Sequence, residues 1–489
     1  MSSTHFTKLD EESRALVERW DQIGRIAVIV AIVSIVVWAA CAGLRALVHA
    51  ASEHVIGGAE HGGLGGGALL IAMLLVGALI RTWLYRRRDW ASAAGDGMQG
   101  AIENYQITYV YAGDDPEPRY RLPAFGHAAR KAITTFLTLG SGASGGLEAP
   151  AVVIAESLAT GISRVLRVRS EHELRTYQLA GIAAAVATLL GAPFTAALFA
   201  AEVAYGDRII YRKLAYGLWA GVVAFWCDTW MHGSYEPLFH PPPHEPLYSV
   251  AEYSVAALVA VAVSGPLALG FGRAILAIRG LVERAGPPWL GSLAVVVAGL
   301  LALGLQHGLG LAPHHVLGMG EETVDAILGH SAELDGAGIL ALVLLAKLLT
   351  TGLTITSGGS AGLLVPSMVL GGISGALTAH GVNLSGIATL DPALFAVVGI
   401  ASALVAVVGV PLAAIALVFE VFGRVFGPPA ILACGLTYLV TLKFKVYEAQ
   451  RAVPPGPSIP PAPLREASPA TDPAATDPPP PERPPEASE

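Results

Sequence analysis

The stretch Leu137–Ile154 reads LTLGSGASGGLEAPAVVI, and it returns 216 positions later as LTITSGGSAGLLVPSMVL at Leu353–Leu370. Each copy places a Gly-rich turn directly before an apolar segment with an early Pro, so the chain contains an internal duplication. A helix that begins inside a membrane points unpaired N–H groups, and the positive end of its dipole (roughly +0.5 charge), at whatever lies ahead of it. Two such helix starts facing one point predict a binding site for an anion.

A second pair of segments supports the duplication. The segment that runs from Pro193 to Glu202 matches the one that runs from Pro411 to Glu420, and both pairs of residues are 218 positions apart. The residues alone do not decide whether the two copies are parallel or inverted. Convergence of two half-helix starts on one point near the membrane midplane requires inversion, an arrangement common in transporters.

The composition excludes an ordinary soluble domain. Of the 489 residues, 53% are hydrophobic and 14% are charged, and the mean hydropathy is +0.57. These values indicate a polytopic membrane protein. Six apolar runs approach or exceed the roughly 20 residues that span a bilayer, namely 26–48, 68–83, 214–226, 255–277, 290–305 and 339–353. Two shorter segments bounded by Gly or Pro, Ala151–Ala159 and Leu412–Phe422, are expected to be half-helices.

The charge pattern predicts the orientation of the chain. A formal net charge of −8 argues against a basic, nucleic-acid-binding surface. Arg86–Arg88 follow the second apolar run, and Lys443 and Lys445 follow the last, so the positive-inside rule places both positions and the termini in the cytoplasm. The first apolar run begins near Gly24 behind a charged stretch, which does not fit a cleavable signal. We expect a multi-pass protein in contact with membrane lipid, in a bacterial inner membrane, without a nucleic-acid partner.

Five segments are predicted along the chain. They are an N-terminal interfacial helix at 1–23, a first membrane half at 24–230, an exposed linker at 231–249, a second membrane half at 250–447 and a disordered Pro-rich tail at 448–489. The linker contains His232, His240 and His244, but their irregular spacing favours a solvated loop over a metal site. The three cysteines lie in or beside apolar runs and are expected to pack as small hydrophobic side chains.

Glu148 is the one ionisable residue in the two matched Gly-rich turns, where the other copy has Leu364. An ionised Glu148 would occupy the anion site as a tethered competitor, whereas a protonated Glu148 would leave and admit a free anion. The alternative is a glutamate that only caps its helix. Because an idle carboxylate is expensive in a membrane, we favour the role of a gate.

The motifs resemble those of the CLC family of chloride channels and transporters. The three hallmark segments are Gly95-Asp-Gly-Met-Gln99, Gly146-Leu-Glu-Ala-Pro150 and Gly362-Leu-Leu-Val-Pro366, followed by Tyr447 after the last apolar run. The resemblance covers roughly residues 25–450. It implies an all-α polytopic membrane protein with two inverted halves and broken helices, assembled as a homodimer with one anion pathway per subunit. The C-terminal nucleotide-binding modules of many family members have no counterpart in the Pro-rich tail.

The resemblance also implies roles for individual residues. Glu148 would be the external gate, and chloride would be the transported ligand, with no cofactor, no metal and no enzymatic activity. The implied anion-binding positions are Asp96, Gly146, Leu147, Ala149, Leu363, Leu364, Val365 and Tyr447. Tyr438, an interfacial tyrosine nine residues earlier, is the alternative to Tyr447. Lys131, a lone cation ahead of the first Gly-rich turn, is expected to be a buried electrostatic aid to the pathway.

Several positions depart from the family pattern. Asp96 stands where the family usually has a Ser that binds the central anion, and a carboxylate there repels chloride unless it is protonated or turned away. Leu364 replaces a usual Phe, and Leu147 replaces a usual basic residue. Backbone ligation should survive these changes, but the preferred anion, whether chloride, fluoride or nitrate, stays open.

Val203 stands where proton-coupled family members commonly have an internal proton-relay Glu, directly after the position of Glu202. This apolar residue favours a passive channel, and a proton-coupled anion antiporter is the alternative, with Asp96 or Glu202 as substitute relay groups. Glu202 and Glu420 are otherwise expected to end their helices in a structural role.

One segment also matches the motif of a class of enzymes. The sequence Gly142-Ala-Ser144-Gly145 matches the Gly-x-Ser-Gly of rhomboid intramembrane proteases, and His380 offers a later base. Small residues recur easily in membrane helices, where they permit close packing. A rhomboid-like intramembrane serine protease is therefore the remote alternative function.

Overall fold

A computed structural model describes residues 11–110, 123–168, 170–206, 209–234, 237–240, 247–285 and 288–442. Within these ranges the chain is helical, and its β-structure is a single isolated bridge. The helices of the first half are α1 (Glu11–His61), α2 (Gly63–Tyr85), α3 (Arg88–Ala91), α4 (Met98–Val110), α5 (Ala124–Leu139), α6 (Glu148–Val165), α7 (Glu171–Leu190), α8 (Pro193–Tyr205) and α9 (Tyr211–His232). The helices of the second half are α10 (Val250–Val259), α11 (Gly265–Ala285), α12 (Pro288–Leu309), α13 (Glu321–Leu328), α14 (Ala337–Thr356), α15 (Leu364–Ser385), α16 (Pro392–Val408), α17 (Pro411–Leu417) and α18 (Gly427–Thr441).

Six helical segments in the described part of the chain are long and apolar enough to cross a membrane. They are Gln22–His61, Gly63–Tyr85, Val250–Arg284, Gly291–Leu309, Ala337–Thr356 and Arg424–Thr441. Five of the six predicted apolar runs lie in them. The run at 214–226 lies in α9, whose tryptophans and Asp228 lower the mean hydropathy. α1 continues from Glu11 through residues 23 and 24, because no Pro interrupts it.

The segment Ala151–Ala159, which the sequence predicts as a half-helix, lies within α6, which is longer, with 18 residues. Polar residues extend it beyond the apolar run. The Ser163 hydroxyl donates to the Ala159 carbonyl at 2.7 Å, so the side chain is satisfied within its own helix. A purely hydrophobic window therefore underestimates the length of this helix. The segment at Leu412–Phe422 is short, as expected, and consists of α17 and a π-helical turn at Val418–Phe422.

The two halves are related by a local two-fold axis. The Gly146 N–H donates to the Gly362 carbonyl oxygen at 2.9 Å, and the Gly362 N–H donates back to the Gly146 carbonyl oxygen at 2.6 Å, in an antiparallel bridge. Because equivalent residues of the two copies pair antiparallel, the copies run in opposite directions through this point. The repeats are inverted, and helices α4 to α9 correspond to α13 to α18.

Two glutamates link the halves by capping each other's helices. Glu202, at the end of α8, accepts hydrogen bonds from the N–H groups of Leu412 (3.0 Å) and Ala413 (2.8 Å) at the start of α17. Glu420 does the same for α8, where it accepts from the N–H groups of Phe194 at 2.9 Å and Thr195 at 2.6 Å. Both helices begin with a Pro, and the carboxylates satisfy N–H groups of their first turns.

We expect the substitution Glu202→Ala to lower the melting temperature of the detergent-solubilised protein. Glu202 is 4% exposed, and its loss leaves the buried N–H of Ala413 and the partly buried N–H of Leu412 without an acceptor, at a cost of about 1–3 kcal/mol. Glu202→Gln keeps one carbonyl oxygen and should cost less than Glu202→Ala. Equal melting temperatures for all three proteins would mean that this cap contributes nothing to stability.

Candidate functional site

The candidate site lies where α6 and α15 begin, two residues after the bridged glycines. Leu147 and Leu363, the N-cap residues of these helices, provide no side-chain acceptor for the first-turn N–H groups. The positive ends of two inverted helices are therefore brought to one buried point, where an anion is the fitting ligand. Six of the predicted anion-binding residues lie in these turns. Leu363 is half-buried, and the other five are buried, namely Gly146, Leu147, Ala149, Leu364 and Val365.

Glu148 is the first residue of α6 and is 1% exposed. Its Oε2 atom is buried without a hydrogen-bond partner. A Cβ atom added at Gly146 would lie 2.5 Å from Oε2, so the carboxyl group folds back over this glycine. A buried charge is costly unless it is paired, and here the helix N-terminus or a proton offsets that cost. The geometry suits a group that alternates between a tethered anion and a neutral acid.

Two buried lysines hold the loops on either side of the site. Lys131 donates to the carbonyl oxygens of Ala93 at 3.3 Å and Gly95 at 2.6 Å. Lys347, its equivalent 216 positions later, donates to those of Leu317 at 2.8 Å and Gly318 at 3.0 Å. Both side chains are 0% exposed. The sequence prediction that Lys131 is buried is confirmed, whereas Lys347 was missed.

The loops held by these lysines are also a repeat that the sequence prediction missed. Gly95-Asp-Gly97 precedes α4, and Gly318-Met-Gly320 precedes α13, with the flanking glycines of both loops at positive φ. At Gly97 and Gly320, φ is +79° and +96°, a conformation that other residues adopt only under strain. Asp96 is half-buried in the first loop, where its charge interacts with Lys131. The signal in the sequence was two Gly-x-Gly loops, each followed by a lysine before a Gly-rich turn.

Hydroxyl groups cross between the halves in the same two-fold pattern. Ser144 shares a hydrogen bond of 2.8 Å with Thr351, and Ser360 shares one of 2.9 Å with Thr135. The serine of the Gly-x-Ser-Gly segment therefore has a structural hydrogen bond that its repeat partner reproduces. His380 lies in a separate pocket, with Nδ1 at 3.7 Å from the Asp335 carboxylate.

The predicted proton-relay position, Val203, is 1% exposed and lies in α8 beside the capping residue Glu202. A polar cluster that the sequence prediction missed lies near the end of this helix. The hydroxyl groups of Tyr105 and Tyr205 hydrogen-bond each other, and the Lys213 ammonium lies 3.4 Å from the Tyr105 hydroxyl. Tyr447, the predicted hydroxyl ligand, lies outside the described residues.

The predicted linker is partly described. His240 pairs with Asp325 of α13, with 2.8 Å between Nδ1 and Oδ2. His232 contacts the carbonyl oxygen of Asp228 at 3.0 Å. Within the described ranges, no group of three His, Cys, Asp or Glu side chains is placed to hold a metal ion.

Comparison with known proteins agrees with this architecture. The family model of the voltage-gated chloride channel matches residues 72–442. A chloride/fluoride channel protein of Pseudomonas syringae pv. tomato is 29% identical over 319 residues, which cover 63% of this chain and 65% of that relative.

Solved structures share the fold. A CLC-type fluoride/proton antiporter superposes with a TM-score of 0.69 at 20% identity, over 88% of this chain and 98% of the other. A slow cyanobacterial Cl⁻/H⁺ antiporter gives a TM-score of 0.68 at 18% identity, over 88% of this chain and 96% of the other. At these identities the likeness shows the fold alone. Because the family model covers most of the sequence, the chain belongs to the voltage-gated chloride channel (CLC) family.

Proposed function

We propose that this protein moves chloride, or another small anion, across the membrane through a pathway gated by Glu148. The observation that supports this proposal most strongly is the meeting of the starts of α6 and α15 beside the paired Gly146 and Gly362. The buried Glu148 carboxyl group lies at the first of these starts, folded back over Gly146. Ionised Glu148 fills the anion site and blocks the pathway. Protonated Glu148 no longer competes, and a free anion takes its place at the backbone N–H groups.

We propose passive conduction as the mode of transport. The internal relay position is the apolar Val203, and both oxygens of the neighbouring Glu202 are engaged by backbone N–H groups of α17. Proton-coupled antiport is the second candidate, because solved antiporters share this fold. The Pseudomonas relative is described as a chloride/fluoride channel, which supports both the passive mode and a test of fluoride beside chloride.

The assembly and orientation are part of the same proposal. We propose a homodimer with one pathway per subunit, cytoplasmic termini and a place in the bacterial inner membrane. The cluster at Arg86–Arg88 supports the orientation by the positive-inside rule. Large exposed hydrophobic side chains such as Leu79, Trp83 and Trp226 fit contact with lipid or with a second subunit.

The test is anion flux from liposomes that contain the purified protein. Chloride release down its gradient, with potassium made permeable to balance charge, is the expected result. The substitution Ser144→Ala should leave most of this flux in place, whereas a serine protease would lose its activity. Absence of flux for chloride and for fluoride would refute the proposed function.

The mode of transport is tested in the same vesicles. For a passive channel, we expect no uphill movement of protons when a chloride gradient is imposed. Uphill proton movement would refute passive conduction and establish the antiport candidate, and it would direct attention to Asp96 and Glu202.

A further inference from the structure

A groove with a volume of about 230 Å³ lies between α11 and α18, far in sequence from the gate. Its lining combines apolar side chains with the guanidinium group of Arg273. The apolar side chains that the argument uses are Val261, Pro266, Leu269 and Val440. An apolar groove that also contains a cation fits a ligand that carries both an apolar chain and a negative charge.

The walls of this groove are held together by direct contacts. A π-helical turn joins α10 to α11, and the Ser402 hydroxyl donates to its first carbonyl oxygen, that of Ala260, at 3.0 Å. The same hydroxyl shares a hydrogen bond of 2.7 Å with Thr437 of α18. A Cβ atom added at Gly265 would lie 3.3 Å from the Thr437 methyl group, so the two helices approach closely here. The groove is therefore a fixed feature of the helix packing.

The length of its helical segment places Arg273 near a membrane surface. Val250–Arg284 has 35 residues and is one of the six candidate membrane spans. It is about 52 Å long, whereas the hydrocarbon core of a bilayer is about 30 Å thick, so a centred segment extends about 11 Å beyond the core at each end. Arg273 lies about 16 Å before the end of the segment, and thus about 5 Å inside the core. A snorkelling arginine reaches the phosphate level from this depth.

This end of α11 lies on the same side of the protein as the basic cluster Arg86–Arg88. The Thr82 hydroxyl, near the end of α2, shares a hydrogen bond of 2.6 Å with the Ser292 hydroxyl, near the start of α12. Since α12 follows α11 directly in the chain, the end of α11 is also on that side. In the proposed orientation, Arg273 therefore faces the cytoplasmic leaflet, where anionic lipids attract basic side chains.

Arg273 also differs from the next arginine of its helix. Arg279 forms an ion pair with Glu283, with 2.8 Å between Nε and Oε1. Arg273 is exposed, and among the residues that the structure describes no side chain forms an ion pair with it. Leu276, one turn later, is 68% exposed, and Val440 on the opposite wall is 60% exposed. These surroundings indicate that the groove faces lipid.

We propose that the groove between α11 and α18 binds an anionic phospholipid of the cytoplasmic leaflet. The guanidinium group of Arg273 binds the lipid phosphate, for which its planar pair of N–H donors is well suited. One acyl chain lies along the apolar wall at Val261, Leu269 and Val440. The inference does not depend on the anion pathway, so it can fail while the proposed function stands, and the reverse is also true.

The first experiment measures lipid binding to the purified full-length protein in detergent by native mass spectrometry. Dioleoylphosphatidylglycerol, which is anionic, should bind more tightly than the zwitterionic dioleoylphosphatidylcholine. For Arg273→Gln, we expect an affinity for phosphatidylglycerol about fivefold lower than in the wild type, because one basic residue is lost at the membrane surface. Arg273→Lys keeps the charge but loses the paired donors, so its affinity should lie between the two.

The matched control is Arg279→Gln, which removes the same charge from the same helix at a residue that already has a carboxylate partner. Its affinity for phosphatidylglycerol should fall less than that of Arg273→Gln. Excess glycerol 3-phosphate distinguishes a lipid site from a site for a free phosphate, because it carries the headgroup chemistry without acyl chains. We expect it to leave the bound lipid in place.

The second experiment locates the lipid. A phosphatidylglycerol with a diazirine in its acyl chain should label peptides that contain Val261, Leu269 or Val440 in the wild type. Leu269→Trp fills the groove while Arg273 is kept, and it should reduce this labelling. The lipid-free melting temperature of each variant shows that it is folded, and Arg273→Gln decides the question if Leu269→Trp is not.

Four results would overturn the inference. They are equal binding of the two lipids, an equal loss of affinity in Arg273→Gln and Arg279→Gln, displacement of the lipid by glycerol 3-phosphate, and labelling confined to other parts of the chain. A disulfide that links two copies of Val440→Cys, and that the wild type does not form, would show instead that a second copy of the chain covers the groove.

Discussion

Replacement of Glu148 by Gln is expected to leave an anion flux that no longer responds to pH. Glutamine has nearly the size of glutamate but no charge, so it imitates the protonated gate at every pH. In the wild-type protein, the carboxyl group lies at its own helix N-terminus, with Oε2 unsatisfied above Gly146. An amide NH₂ placed there would face the donors of the helix start, and the side chain would be displaced from the anion site. One pH unit above the wild-type midpoint, the flux should be about tenfold higher than in the wild type.

The measurement is the initial rate of chloride release from liposomes across the acidic and neutral range. Glu156→Gln is the matched control, because Glu156 lies in the same helix, is 0% exposed and accepts a hydrogen bond of 2.9 Å from Gln178. This carboxyl group lies two turns from the helix start, so its replacement should preserve the pH dependence. A pH-dependent flux in Glu148→Gln, or its loss in Glu156→Gln alone, would contradict the assignment of Glu148 as the gate.

The repeated Gly-rich turns made the centre of the fold predictable from sequence. Two copies of one pattern, each followed by an early Pro, predicted that two helix starts would face each other, and Gly146 and Gly362 do pair directly. The inversion, which the residues alone left open and the family resemblance implied, is confirmed by the antiparallel bridge. The two facing helix starts could be predicted from sequence because glycine and proline restrict or free the backbone independently of their distant neighbours.

The side-chain contacts that hold the helices and loops around the site could not be predicted from sequence in the same way. The crossed caps made by Glu202 and Glu420 join residues more than 200 positions apart, and a carboxylate at a helix end does not identify which helix it caps. Lys131 and Lys347 lie in matching segments of the two copies, but a lysine in an apolar helix does not identify the carbonyl oxygens that it binds.

The substitution Gly375→Ala is expected to be the most damaging single-methyl change in the second half. A Cβ atom at this position would lie 2.1 Å from the Phe395 carbonyl oxygen and 2.7 Å from the carbonyl carbon. Backbone atoms cannot rotate away, so α15 and α16 must separate. Gly371 and Gly399 form a second close approach between the same helices, with a Cβ at Gly371 meeting the Gly399 oxygen at 2.5 Å. Small residues at these positions bring the two backbones together, as is typical of membrane helices.

We expect Gly375→Ala to reduce the yield of monodisperse protein and to cost about 3 kcal/mol of stability, the upper part of the range for overpacked cores. Thermal unfolding in detergent, followed by tryptophan fluorescence, measures this loss. Gly381→Ala is the matched control, because Gly381 is in the same helix and a Cβ there would meet nothing within 4 Å. Alanine stabilises a helix by up to about 1 kcal/mol relative to glycine, so the control should melt at the same temperature or higher. Equal melting of the two variants would mean that α15 can move away from α16 at little cost. In that case, the start of α15 at Leu364 would not be held rigidly enough to maintain a preformed anion site, and the N–H groups there would have to be ordered by the anion itself.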